Sequence, residues 1–252
     1  MKRRLQKYLG PILAPVLGLA LLLGLTPQAP ATEVKVDLQL VLAVDSSGSI
    51  DDKEFALQRV GYAKAFRNPR VIRAIGNGFH RAIAVTYVEW SGPGIQVPIV
   101  IWTRINDAAS ADRFAAALIN TPRAQISGHG TAVGEAILMA SELFEENDYQ
   151  SPRRIIDISG DGPTSRGRPA SWARDLVIAQ GITINGLPIL DGRHGNLPLY
   201  FLDNVIGGPG SFSITANGFK DFAAAVLSKL IREIAGTEPS TEFAMDGADR
   251  TQ

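Results

Sequence analysis

The stretch VLAVDSSGSI, residues 41–50, ends an apolar run on an acid and follows it with three serines and a glycine. Asp45, Ser47 and Ser49 stand at i, i+2 and i+4. A carboxylate and two hydroxyls are hard oxygen donors, suited to Mg²⁺ or Ca²⁺ and poor for soft metals. Gly48 permits a tight path between them, so their oxygens can bend round one point. Three oxygens do not fill an octahedron, and two later stretches can supply more. In ISGHGTAVGEAI, residues 126–137, a glycine-bracketed loop opens onto a helix at Thr131. In RIIDISGDGPTS, residues 154–165, Asp161 lies just past a hydrophobic strand. Asp157, inside that strand, competes less well, because ligands in such sheets bind beyond the strand ends.

Rival chemistries fit less well. A serine after a strand could be a nucleophile with His129 as base, giving a serine or metal-dependent hydrolase. DSSGS, however, lacks the glycines of a G-x-S-x-G nucleophile elbow, and no phosphate-binding G-x-x-x-x-G-K-[ST] occurs. The plainest alternative is that DSSGS merely caps the helix that follows, through Ser49 or Asp51. Ser91 after Trp90 could neighbour the site, while Trp90 reads as packing. Arg168, Arg193 and His194 lie in loops that could set partner preference.

The elements that would position these residues follow from the hydrophobic pattern. Residues 35–44 and 153–159 read as strands buried on both faces. Residues 80–90 and 95–105 read as a hairpin, with Pro98 placing the second strand at an edge. Residues 182–190 and 211–215 complete the strands. Helices are expected over 51–68, with Phe55, Val60, Ala63, Lys64 and Phe66 loosely in period, and over 110–120, 131–147, 169–181 and 219–236. Alternating strands and helices predict an α/β domain, a doubly wound, mostly parallel sheet with one antiparallel edge strand.

The bulk numbers agree with one such domain. The chain has 252 residues, 45% hydrophobic, with 25 basic and 25 acidic side chains. That balance argues against nucleic acid as a partner. The absence of cysteine excludes disulfides, thiolate catalysis and iron–sulfur clusters. Residues 1–31 carry early lysines and arginines, an apolar run and Ala29-Pro30-Ala31, the order of a secretory signal peptide. The uncharged stretch from Leu9 to about Thr32 is also long enough to span a membrane, but its prolines and the cleavage-like site favour removal. The expected product is exported, periplasmic or extracellular, with a domain over 32–238 and a polar, disordered tail over 239–252.

DSSGS, then a glycine-rich Gly-Thr opening a helix, then Asp-Gly after a later hydrophobic strand resembles the von Willebrand factor A domain with its metal-ion-dependent adhesion site. The likeness covers roughly residues 36–236. In order, 86 residues separate Asp45 from Thr131 and 30 separate Thr131 from Asp161. The C-terminal segment YFLDNVIGGPGSFSITANGFKDFAAAVLSKLIREI is similar to a group of secreted bacterial proteins of that fold. The resemblance implies a Mg²⁺-type ion (or Ca²⁺ or Mn²⁺) held by Ser47, Ser49 and Thr131, with Asp45 and Asp161 acting partly through water. It implies a protein partner whose carboxylate completes the shell, and a binding module, not an enzyme. A role as accessory subunit of an envelope assembly fits the same pattern. One departure stands out: the family usually has a hydroxyl residue before the late Asp-Gly, where this chain has Gly160, leaving Ser159 as the nearest hydroxyl to take its place.

Overall fold

The computed structural model describes residues 33–124 and 130–236. The expected export segment, His129 and the polar tail over 239–252 lie outside the described residues. Among the described residues, no helix is long and apolar enough to cross a membrane.

In chain order the elements are β1 (Val34–Lys35), β2 (Leu38–Asp45), α1 (Asp52–Phe66), α2 (Pro69–Gly76), β3 (Ile83–Trp90), β4 (Gln96–Ile105), α3 (Ala108–Asn120), α4 (Val133–Glu142), β5 (Tyr149–Gln150), β6 (Arg154–Gly160), α5 (Ala170–Ile178), β7 (Thr183–Pro188), α6 (Leu197–Tyr200) and α7 (Phe222–Ala235). The main sheet runs β4-β3-β2-β6-β7. All its neighbours are parallel except β3 and β4. β4 is therefore the antiparallel edge, and Pro98 sits in it without breaking an interior ladder. β1 and β5 form a separate parallel pair.

β2 lies at the centre and is fully buried. Its side chains alternate between two cores. Leu38, Leu40, Leu42 and Val44 join the layer with α1, α3 and α7, while Val41 and Ala43 join the layer with α4 and α5. Both faces of the strand are covered, which is why its sequence reads as an unbroken apolar run. The chain leaves β2 toward β3 on one side and reaches β6 later on the other. Asp45 at the end of β2 and Asp161 just past β6 thus flank the crevice where strand order reverses, the usual ligand position in such sheets.

Several boundaries and patterns differ from the sequence reading. The buried face of α1 is built from Gln58, Arg59, Gly61, Tyr62 and Phe66, while Val60 and Lys64 face solvent. Arg59 can be buried because it reaches Glu89, with Nη2 2.5 Å from Oε1. At Gly61 an added Cβ would stand 2.8 Å from Cδ1 of Phe222, so glycine is what lets α1 and α7 touch. The helix expected over 131–147 is regular only to Glu142 and tightens into a 3₁₀ turn, Leu143–Glu145. Helix α2 was not expected, although Asn68 at its N-cap and Pro69 at its first position are a start signal. The segment 211–215 is not a regular strand. It lies along β7 with Gly186 N–H donating to Phe212 O (3.0 Å) and Ile214 N–H donating to Gly186 O (3.1 Å), and pairs only as isolated bridges. The Asn185 side chain takes the Phe212 N–H at 3.0 Å, which diverts one ladder bond.

Candidate metal centre

The polar loop after β2 is fixed from three directions. Asp45 Oδ1 accepts from Ser47 N–H at 2.8 Å, turning the chain as soon as the strand ends. Asp51 caps α1, accepting from the N–H groups of Lys53 and Glu54 at 2.8 Å each, and Glu54 returns a bond to Asp51 N–H. This complete capping box means that Ser47 and Ser49 are not used as caps. Arg123 then clasps the loop from outside, its Nη2 donating to the carbonyls of Ser46 and Ile50 at 3.1 Å each.

The hydroxyls turn toward the second acid. Ser47 Oγ and Ser49 Oγ are 3.0 Å apart, and Ser49 Oγ donates to Asp161 Oδ1 at 2.9 Å. Asp45, Ser47, Ser49 and Asp161 therefore gather at one point. Asp45 and Asp161 are 0% and 1% exposed. Burial pushes the Asp45 carboxyl up to about 7, with the charge of Asp161 adding to it and the Ser47 hydrogen bonds opposing it. Burial likewise raises Asp161, against the Ser49 hydrogen bond and the Arg193 guanidinium.

Thr131 approaches from the other side. It precedes α4, which starts without a side-chain cap. Its N–H donates to Ser165 Oγ at 2.9 Å and its carbonyl accepts from Ser165 N–H at 2.8 Å, tying it to the loop that carries Asp161. Ser91, fully buried, braces the same stretch, its carbonyl accepting from Ala132 N–H at 2.9 Å. Gly162 in the Asp161 turn lies beside Thr131: a Cβ there would stand 4.0 Å from Thr131 Oγ1 and 3.7 Å from the His194 ring, ordinary contact distances.

The donor set suits a hard divalent cation. Among the described residues, no three His, Cys, Asp or Glu side chains cluster to hold a metal. The candidate centre depends instead on two carboxylates with hydroxyls, a set that MgO₆-type coordination accepts. Asp45 Oδ2 is buried and has no hydrogen-bond partner, an unmet demand for positive charge.

The structure places the remaining candidates of the sequence reading, and Asp157 lies where that reading put it. Asp157 points into the interior, with Lys229 Nζ 2.8 Å from its Oδ1, away from the cluster. Ser159, the nearest hydroxyl before the late Asp-Gly, is buried and its Oγ has no hydrogen-bond partner among the described residues. Gly160 has a steric reason, because an added Cβ would stand 3.1 Å from Asp45 Oδ2 and 3.5 Å from the Trp90 ring. Arg193, read as a loop residue, instead reaches the cluster, with Nη2 2.8 Å from Asp161 Oδ2 and 3.3 Å from Ser49 O. The role of Arg123 was missed altogether, since nothing local links it to the serines. Arg168 pairs with Glu135 and stands over Trp172, at 5.5 Å from the ring centroid.

Known structures share this arrangement of elements. Proximal thread matrix protein 1 from the mussel byssus aligns with a TM-score of 0.61 at 16% identity, covering 81% of this chain and 49% of that one. Another structure of the mussel protein, described with zinc in its metal-ion-dependent adhesion site, gives 0.56 at 14% identity, with 81% and 49% covered. The chain thus spans about half the length of the mussel protein. The von Willebrand A domain of SpRpn10 gives 0.52 at 11% identity over 79% of this chain and 97% of that one. No curated protein matches the chain in sequence. The fold is that of the von Willebrand factor A domain, and over residues 35–238 the chain belongs to the family DUF1194, described as a protein of unknown function.

Proposed function

We propose that this chain is an exported binding module that engages an acidic group of a partner protein through a Mg²⁺-type divalent cation. Asp45, Ser47, Ser49, Thr131 and Asp161 would hold the ion. The observation that carries this reading is the pairing of two buried carboxylates with serine hydroxyls that the helix cap leaves free, one carboxylate oxygen having no partner. When bound, the ion supplies a Lewis-acidic point of attachment for a partner's carboxylate. The protein's own task is to hold the oxygens in place, and the hydroxyls do so without adding negative charge, which keeps an acidic partner attractive. The likeness in fold to a matrix protein of the mussel byssus and to the pilus adhesin SpaC from Lactobacillus rhamnosus GG supports an adhesive role. Binding without turnover is the reading the site favours.

Calorimetric titration with Mg²⁺ and Mn²⁺ tests it. One ion should bind per chain, and Asp161→Asn should weaken it by about 100-fold or more, the scale on which lost ligands and their supports act. A pull-down from the native cell envelope should retain partner protein in Mg²⁺ and lose it in EDTA or with Asp45→Ala. Equal retention under all three conditions sinks the metal-mediated contact.

A further inference from the structure

Arg193 touches the candidate centre where its role as a plain surface residue does not require it. The residue follows β7 in the turn Asp191–Asn196, with Gly192 at φ 88°. Asp191 positions it twice, accepting from its backbone N–H at 2.8 Å and holding its Nε. The free end of the guanidinium then crosses to Asp161 Oδ2, 2.8 Å away, and to the carbonyl of Ser49, 3.3 Å away. With Ser49 Oγ on Oδ1, both oxygens of Asp161 are engaged. Among the described residues, Asp45 receives no such cation, and its Oδ2 has no hydrogen-bond partner. The Arg193 side chain is 49% exposed, so nothing in the core depends on it and it has room to swing outward.

We propose that Arg193 is a built-in competitor for the divalent ion, occupying Asp161 in the ion-free protein and leaving it when an ion enters. This rests on the metal-binding reading above. The physical ground is that one carboxylate oxygen cannot serve two cations at close range without their mutual repulsion, which at partial burial is far less screened than in water. Asp191 keeps a hold on Nε, so the guanidinium is displaced without being lost to solvent. The charge of Arg193 thereby sets the threshold of ion concentration at which the site fills.

The test is calorimetric titration with Mg²⁺ alone and with Mn²⁺ alone for the wild type, Arg193→Gln and Arg193→Lys. Half-exposed ion pairs are weak, so Arg193→Gln should tighten ion binding only about three- to tenfold. Arg193→Lys, which keeps the charge, should stay nearer the wild type. Thermal melting gives a second readout: the rise in Tm between EDTA and saturating Mg²⁺ should be larger for Arg193→Gln. If Arg193→Gln folds cooperatively but binds the ion equally or more weakly, Arg193 supports the site and the proposal fails alone. If neither the wild type nor any variant binds a divalent ion, the metal-binding reading fails and takes this proposal with it.

Discussion

Two pairs of acids lie close together in depth but are balanced in different ways. Asp157 and Glu233 sit in the interior between β6 and α7. Lys229, itself 0% exposed, stands 2.8 Å from Asp157 and bonds Glu233, and Asn185 donates to Glu233 at 2.8 Å. Asp45 and Asp161 sit at the strand ends, where the described residues provide hydroxyls, a backbone N–H and the half-exposed Arg193, but no buried cation. Burying an acid is costly unless it is paired. In the interior one fully buried lysine is shared by the two acids. At the strand ends the cation that reaches an acid, Arg193, is half-exposed, and that difference in burial is what distinguishes a candidate binding site from a structural ion cluster built of the same residue types.

The sharpest way to break this contrast is Lys229→Met. It should leave two buried acids uncompensated and cost about 3–5 kcal/mol in urea unfolding, as when one partner of a buried ion pair is removed. Adding Asp157→Asn should restore part of that loss. A cost below about 1 kcal/mol, the scale of surface pairs, would show that the interior set is no more dependent on its cation than the strand-end set.

A pH series probes both sites next, because burial pushes the Asp45 and Asp157 carboxyls alike up to about 7. Without metal, folded Asp45 holds its proton up to about pH 7, whereas an unfolded aspartate releases it near 3.9. A carboxyl pushed up in this way binds protons more tightly when folded. The ion-free protein should therefore be most stable at the acid end of this window and lose up to about 4 kcal/mol as pH rises through it. Asp45→Asn should remove the Asp45 share of that slope in EDTA, leave the Asp157 share, and make the ion-free protein more stable at neutral pH. A slope unchanged in Asp45→Asn would mean that Asp45 is not the strained acid.

The smallest effect should come from Gly160→Ser, which restores the hydroxyl typical of the family. Its Cβ would press on Asp45 Oδ2 at 3.1 Å, with the Trp90 ring in ordinary contact at 3.5 Å. A loss of about 1–2 kcal/mol in thermal or urea unfolding is expected from such overpacking. A neutral outcome would show that the strand-end acids tolerate crowding, which the interior set should not.

The sequence carried the parts of this contrast that are local. The apolar run into Asp45, the Ser47 and Ser49 spacing and the Asp161 turn after β6 each leave a short-range trace, and the structure brings these four residues together. Pro98 likewise marked the sheet edge. What was not legible depends on residues distant in sequence. Lys229 lies on α7 at a position that reads as a charged interruption of an amphipathic helix, and only the fold reveals Asp157 beneath it. Arg123 and Arg193 look like ordinary loop arginines until the turns that carry them meet DSSGS. The stretch 211–215 has strand-like alternation, yet Asn185 takes one of its N–H groups, a side-chain competition that residue periodicity does not record.

The clasp of Arg123 on the Ser46 and Ile50 carbonyls, together with the Asp51 cap, has a kinetic consequence. The loop after β2 is already held in shape by the chain alone, so ligation need not order it. Little conformational entropy is then lost on binding, and no slow ordering of this loop precedes it. With Mg²⁺, which gives up its own water reluctantly, the rate of capture should be set by the shedding of that hydration shell.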